Sequence, residues 1–156
     1  MKKIGKSQEE TMTPAVNRMI YWVIAFFAVA LIGFGDSVYL TATHYLGIMP
    51  ECSVIQGCDI VAMSDYSTIG PLPVSLFGVL FYAFMMAISV AWFDTRKPVF
   101  FEYLPFITVP AFLFSMWLIY VMYFVIGALC IYCLLSAATT TILMLFSIKL
   151  RSLTSG

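Results

Sequence analysis

The four cysteines of the chain fall into two close pairs, Cys52 with Cys58 and Cys130 with Cys133. Paired thiols can pass electrons by disulfide exchange, a reaction in which the thiolate is the attacking form. In Cys130-Ile131-Tyr132-Cys133 the spacing stacks the sulfurs on one helix face, with Cys130 at the helix start and Cys133 one turn deeper. A helix amino terminus favours a thiolate, so Cys130 suits exchange near water and Cys133 suits chemistry in an apolar interior. The other pair lies in Glu51-Cys52-Ser53-Val54-Ile55-Gln56-Gly57-Cys58-Asp59. The glycine before the second cysteine leaves this segment able to close on itself or to swing toward another sulfur. Two such pairs have the layout of an electron relay.

The elements that must position them follow from composition. Hydrophobic residues make up 62% of the sequence and charged residues 10%, which excludes a water-soluble domain. The run between Glu102 and Lys149 carries no charge. As one helix it would be about 70 Å long against a hydrocarbon core of about 30 Å, so it must cross twice. The reversal falls near Ile126 and Gly127, where glycine permits a tight turn. With two apolar runs before it, the expected spans are residues 19–43, 73–93, 104–126 and 129–148. Pro73 suits the first turn of the second span, where a missing amide has no partner to lose, and Pro110 should kink the third. The expected fold is an all-α bundle of four transmembrane helices, one domain over residues 1–156. A short extracytoplasmic loop, with a half-helix around Ile60, Val61 and Met63, joins the first two spans.

The basic residues are one-sided. Lys2, Lys3, Lys6 and Arg18 precede the first span, Arg96 and Lys97 lie between the second and third, and Lys149 and Arg151 follow the fourth. Basic residues near span ends stay on the cytoplasmic side, so both termini are expected there. The loop from about His44 to Leu72 holds Glu51, Asp59 and Asp65 but no Lys or Arg, and faces outward. The basic start reads as a retained anchor, because its apolar run is longer than a signal core and lacks a small-x-small cleavage region. All four cysteines are then at the extracytoplasmic face of a cell inner (cytoplasmic) membrane, in an oxidising compartment.

These residues resemble the vitamin K epoxide reductase family in its bacterial and archaeal branch. The resemblance covers most of the chain: the C-x5-C loop pair, the following CDIVAMS, the PLPVSLFGVLFY entry into span two, and CIYC opening span four. It implies an enzyme, a quinone-dependent thiol-disulfide oxidoreductase. In that family a thioredoxin-like protein is oxidised through the loop pair, electrons pass to CxxC, and a quinone in the bundle accepts them. By position, Cys52 looks like the sulfur that meets the partner, Cys58 the one that exchanges with Cys130, and Cys133 the one beside the quinone. Ser64 falls where the family has a hydroxyl residue that supports the site. Animal members use an Asn at the start of span two and a Tyr after the last cysteine to hold vitamin K. The corresponding positions here are Val74 and Ala137, so the resemblance implies reduction of ubiquinone, menaquinone or a related quinone rather than of an epoxide. Because the chain ends at Gly156 after span four, the thioredoxin-like partner is expected to be a separately encoded protein. Phe77, Phe81, Tyr82, Met116, Tyr120 and Tyr123, with Ala137, are the candidates to line the quinone pocket.

Plainer readings compete. Each pair could be a static disulfide, although a structural bond rarely sets one sulfur at a helix start with its partner one turn deeper. A four-sulfur zinc site would need thiolates at an oxidising surface, and no metal is expected. The chain would then be a transporter or structural membrane subunit; within the redox class, the alternative is a vitamin K quinone or epoxide reductase proper. His44 reads as an interfacial side chain. Asp36 is open between a local hydrogen bond, to Ser37 or a neighbouring helix, and a role in proton handling, since a carboxylate within a span is costly. The resting cysteine pairing is open too, because four cysteines allow three complete pairings.

Overall fold

A chain in lipid must satisfy every backbone amide within its own segment, and helices do so. The computed structural model describes residues 4–48, 57–95 and 99–155. Helix α1 runs Ile4–Leu46, α2 is the short Cys58–Ala62, α3 is Val74–Thr95, α4 is Val99–Glu102, α5 is Leu104–Tyr120 and α6 is Ile131–Ser155. A two-residue antiparallel pairing of Thr68–Ile69 (β1) with Leu72–Pro73 (β2) closes the turn that leads into α3. Among the described residues, four segments are long and apolar enough to cross a membrane: Asn17–Leu46, Val74–Thr95, Leu104–Ile126 and Ile131–Leu153. The protein is an all-α membrane bundle.

The third span does not stay α-helical to its end. After Tyr120 it widens into a π-helical turn, Val121–Ile126, and stops at Gly127, whose φ of 68° is left-handed. Glycine meets that conformation without a Cβ clash and reverses the chain into α6. Pro110 sits inside α5, and Pro105 in its first turn.

The outward faces carry exposed Ile24, Leu31, Leu80, Phe84, Leu113, Trp117, Leu145 and Ile148, as a lipid-facing surface requires. With hydrocarbon on the outside, burial of apolar area cannot drive helices together, so close approach and hydroxyl bonds carry the association. Gly33 of α1 lies against the ring of Tyr82 of α3: a Cβ there would fall 2.8 Å from Cδ1 and nearer still to Cε1 and Cζ. Gly78 meets Ser37 in the same way, with a built Cβ 2.6 Å from Oγ. The Thr41 hydroxyl donates to Ser75 Oγ at 2.9 Å, and Thr108 and Ser147 hydroxyls join α5 to α6 at 2.7 Å. Tyr82 reaches α6, donating to the Ser136 carbonyl at 2.9 Å and lying 2.7 and 2.9 Å from the hydroxyls of Thr139 and Thr140. Below this layer Val23, Phe26, Ala30, Met85, Trp92, Phe101, Leu104, Leu143 and Leu150 form a buried core.

Gly33→Val should push the Tyr82 ring aside and destabilise the bundle by about 1–3 kcal/mol, as overpacking does. A lower thermal midpoint in detergent, partly recovered by adding Tyr82→Leu, is the expected result; an unchanged midpoint would show the contact to be loose.

Candidate functional site: a dithiol at a helix start beneath a loop disulfide

Cys130 caps α6. Its carbonyl accepts the first helical bond, from Leu134 N–H at 3.1 Å, and its sulfur receives the N–H of Cys133 at 3.5 Å. An N-cap side chain that accepts from the third helical amide satisfies a donor that has no other partner. Here the acceptor is a sulfur, so the interaction favours the thiolate. The Cys130 amide in turn donates to Met122 Sδ at 3.3 Å, in the π turn.

Cys130 and Cys133 are free thiols. The Cys130 thiol is lowered to about 7, chiefly by a hydrogen bond from the Cys133 side chain. The amides of Cys133 and Tyr132 add to that effect, while burial and the charge of Asp36 oppose it. Near neutral pH a large share of Cys130 is therefore thiolate.

Cys58 begins α2, is 1% exposed and is disulfide-bonded. Cys52 lies outside the described residues. Cys58, Met122 and Cys130 form one buried cluster, with Val61, Leu129, Tyr132, Cys133 and Leu134 packed around it. Gly57 makes this approach possible. Its φ is 153°, and a Cβ there would stand 2.9 Å from the Leu129 carbonyl oxygen and 3.2 Å from Ala128 Cβ. The residue directly before Cys58 thus rests on the backbone just ahead of the helix-start thiol.

Beneath the cluster, α1, α3, α5 and α6 enclose a cavity of about 990 Å³ lined by Cys58, Cys130 and Cys133 together. Of the sequence candidates, Phe77, Phe81, Tyr82 and Ala137 line it, as do Val74 and Ser64. Met116, Tyr120 and Tyr123 do not; they are 37%, 57% and 62% exposed. The physical reason is helix phase: Ala111, Phe114, Ser115, Leu118 and Met122 form the inward stripe of the third span, and the aromatic-rich stripe beside it turns outward. Ser64 donates to the Val61 carbonyl at 2.7 Å, closing the turn after α2. Sequence reasoning read Gly57 as a source of loop freedom but not its contact with Leu129, and it missed Met122 and the hydroxyl belt of Ser37, Ser75, Ser115, Ser136 and Thr140 that gives the cavity its polar positions. The serine and threonine spacing on α6 was the available signal. His44 is exposed at the rim of the cavity.

Residues 24–148 match the Vitamin K epoxide reductase family. The chain belongs to that family. Among curated proteins, none matches the chain closely enough to stand as a relative. Members of the vitamin K epoxide reductase family use quinones as electron partners, and membership makes this chain a multi-pass membrane protein of the quinone-linked, disulfide-handling oxidoreductase kind. The cavity fits such an acceptor: it is large enough for a ring headgroup, walled by aromatic side chains, and supplied with a few hydroxyl donors.

The rate at which a small alkylating reagent modifies Cys130, read by mass spectrometry on the reduced protein, should rise with pH through a midpoint near 7. Cys133→Ala removes the largest cause of that lowering, and the midpoint should climb toward the ordinary thiol value of about 8.5. A midpoint that stays put in the variant would show that the Cys133 thiol does not support the thiolate.

Proposed function

We propose that the protein oxidises a separate thioredoxin-like partner at the extracytoplasmic face and sends the electrons to a membrane quinone, so that disulfides form in exported proteins. One observation carries the reading: a disulfide-bonded Cys58 packs with the free, thiolate-prone Cys130 in a single buried cluster, while Cys133 opens on the cavity. The partner's dithiol attacks the disulfide between Cys52 and Cys58, leaving as a disulfide and reducing the loop pair. Cys58 thiolate then attacks Cys130 of an oxidised Cys130–Cys133 pair; the loop disulfide closes again and CxxC becomes the dithiol. Each exchange moves two electrons and needs a thiolate beside an accessible sulfur.

A closed loop disulfide with an open CxxC dithiol corresponds to the stage at which the electron pair has reached the inner site. A bound quinone supplies the sink for two electrons and two protons. The protein's part is to hold Cys133 at the cavity wall, to keep water from the sulfurs by burying Cys58 and Cys130 at 1% and 2% exposure, and to stabilise the thiolate with the amides that open α6. Phe77, Phe81 and Tyr82 with the hydroxyls of Ser136 and Thr140 would hold the ring. Val74 and Ala137 line the cavity without a side-chain hydrogen bond to offer, which favours a quinone over an epoxide as the acceptor. The one-sided basic residues support cytoplasmic termini and an outward loop.

Purified protein given a reduced thioredoxin-like donor should reduce quinone, and Cys133→Ala in the same detergent should abolish turnover. Wild type that fails with several donors and several quinones would leave the static-disulfide reading, a structural or transport subunit, in its place.

A further inference from the structure

Asp36 has no place in the electron path just described, yet its setting is unusual for a carboxyl group. It lies in the first span, is 8% exposed, and neither carboxyl oxygen has a hydrogen-bond partner among the described residues. Ser37, its neighbour, faces the cavity; neither Ser37 nor an adjacent helix supplies the bond that a purely structural carboxyl needs. A group in that state can gain or lose a proton without breaking any contact.

Two contacts fix the level of Asp36 against α6. One turn before it, Gly33 rests on the Tyr82 ring, whose hydroxyl bonds to Ser136, Thr139 and Thr140. One turn after it, the Tyr39 ring packs against Tyr132 at 5.1 Å between centroids. Trp22 of α1 packs on Phe146 of α6 at 5.3 Å between centroids and Tyr39 on Tyr132, so as α1 advances its partners on α6 move back and the two helices run antiparallel. Asp36, midway, is level with Cys133 to Ser136. Its charge interacts with both sulfurs of the CxxC pair, and at Cys130 it opposes the thiolate. The other titratable groups around it are Tyr39 on α1, Tyr82 on α3 and Tyr132 on α6.

We propose that Asp36 is the internal proton acceptor of the Cys130–Cys133 dithiol. The proposal rests on the reading that this dithiol is oxidised by a quinone. Where Cys130 is still a thiol, Asp36 carboxylate takes its proton, so the negative charge passes from oxygen to sulfur. Closing the disulfide then releases two electrons and the second thiol proton. Both electrons go to the quinone with two protons, that one and the one held on Asp36, and the carboxylate is restored. Breaking and making the O–H and S–H bonds beside the dithiol spares the reaction a proton exchange with the distant bulk solvent.

The test compares wild type, Asp36→Asn and Asp36→Glu in two measurements. Single-turnover oxidation of the fully reduced protein by a soluble short-chain quinone should slow by about 100-fold in Asp36→Asn, the scale of a lost proton acceptor, and recover in Asp36→Glu. Independently of any quinone, the pH midpoint for alkylation of Cys130 should fall in Asp36→Asn, because the carboxylate that opposed the thiolate is gone, and return in Asp36→Glu. A carboxyl that only packs would leave that midpoint in place, and one that only repels the thiolate would move it without slowing the oxidation. If Asp36→Asn does not assemble, Asp36→Leu removes the acid without adding an unpaired amide. An unchanged midpoint overturns the proposal, as does an oxidation rate within about twofold of wild type. Should wild type reduce no quinone, the functional reading falls and the midpoint alone decides whether Asp36 and the dithiol share a proton.

Discussion

The contact of Gly57 with the Leu129 backbone and the Ala128 methyl is the constraint on which the site depends. A loop disulfide and a helix-start thiol can exchange only if the two sulfurs meet, and meeting requires a loop to lie on main chain with no side chain between. Gly57 allows both the close approach and the positive φ. The π turn and Gly127 complete the other side, since they end the third span so that Met122 sits beneath the Cys130 amide and the chain enters α6 with Cys130 as its cap. Loop, turn and cap are three separate pieces of local structure, and the buried cluster of Cys58, Met122 and Cys130 exists only where they coincide.

The bundle below is held in a manner suited to lipid. Glycines set against Tyr82 and Ser37 bring α1 and α3 within backbone distance, and hydroxyl bonds tie α1 to α3, α3 to α6 and α5 to α6. The same hydroxyls that join helices near the dithiol also border the cavity, as Ser75, Ser136 and Thr140 do. Stability and polarity of the site are therefore drawn from one set of residues. The Tyr82 layer marks the floor: above it lie sulfurs and the cavity, below it an apolar core.

Electrostatics gives the site its direction. At Cys130 the amides that open α6 and the Cys133 thiol favour negative charge, while burial and Asp36 resist it. The opposing effects leave the sulfur balanced near neutral pH, the condition under which a thiol is both a nucleophile and a leaving group. A fully exposed helix-start cysteine would lack the opposing half, and an apolar pocket without the cap would lack the favouring half.

Much of this was legible in the residues. The number of spans follows from the length of uncharged sequence, because lipid accepts no unpaired backbone and sets a helix length for each crossing. The helix start at Cys130 and the reversal at Gly127 follow from spacing and from glycine's freedom, and the quinone-linked family is readable from the order of the two cysteine pairs. Helix phase was not legible. In a membrane span the face toward lipid and the face toward protein are both apolar, so periodicity cannot tell Phe77 and Tyr82, which line the cavity, from Met116 and Tyr120, which do not. Nor can the sequence show that Gly57 meets Leu129, that Met122 serves the Cys130 amide, or that Asp36 stands unpaired level with Cys133. Those are contacts between segments far apart in the chain, and only the packing of the helices against one another decides them.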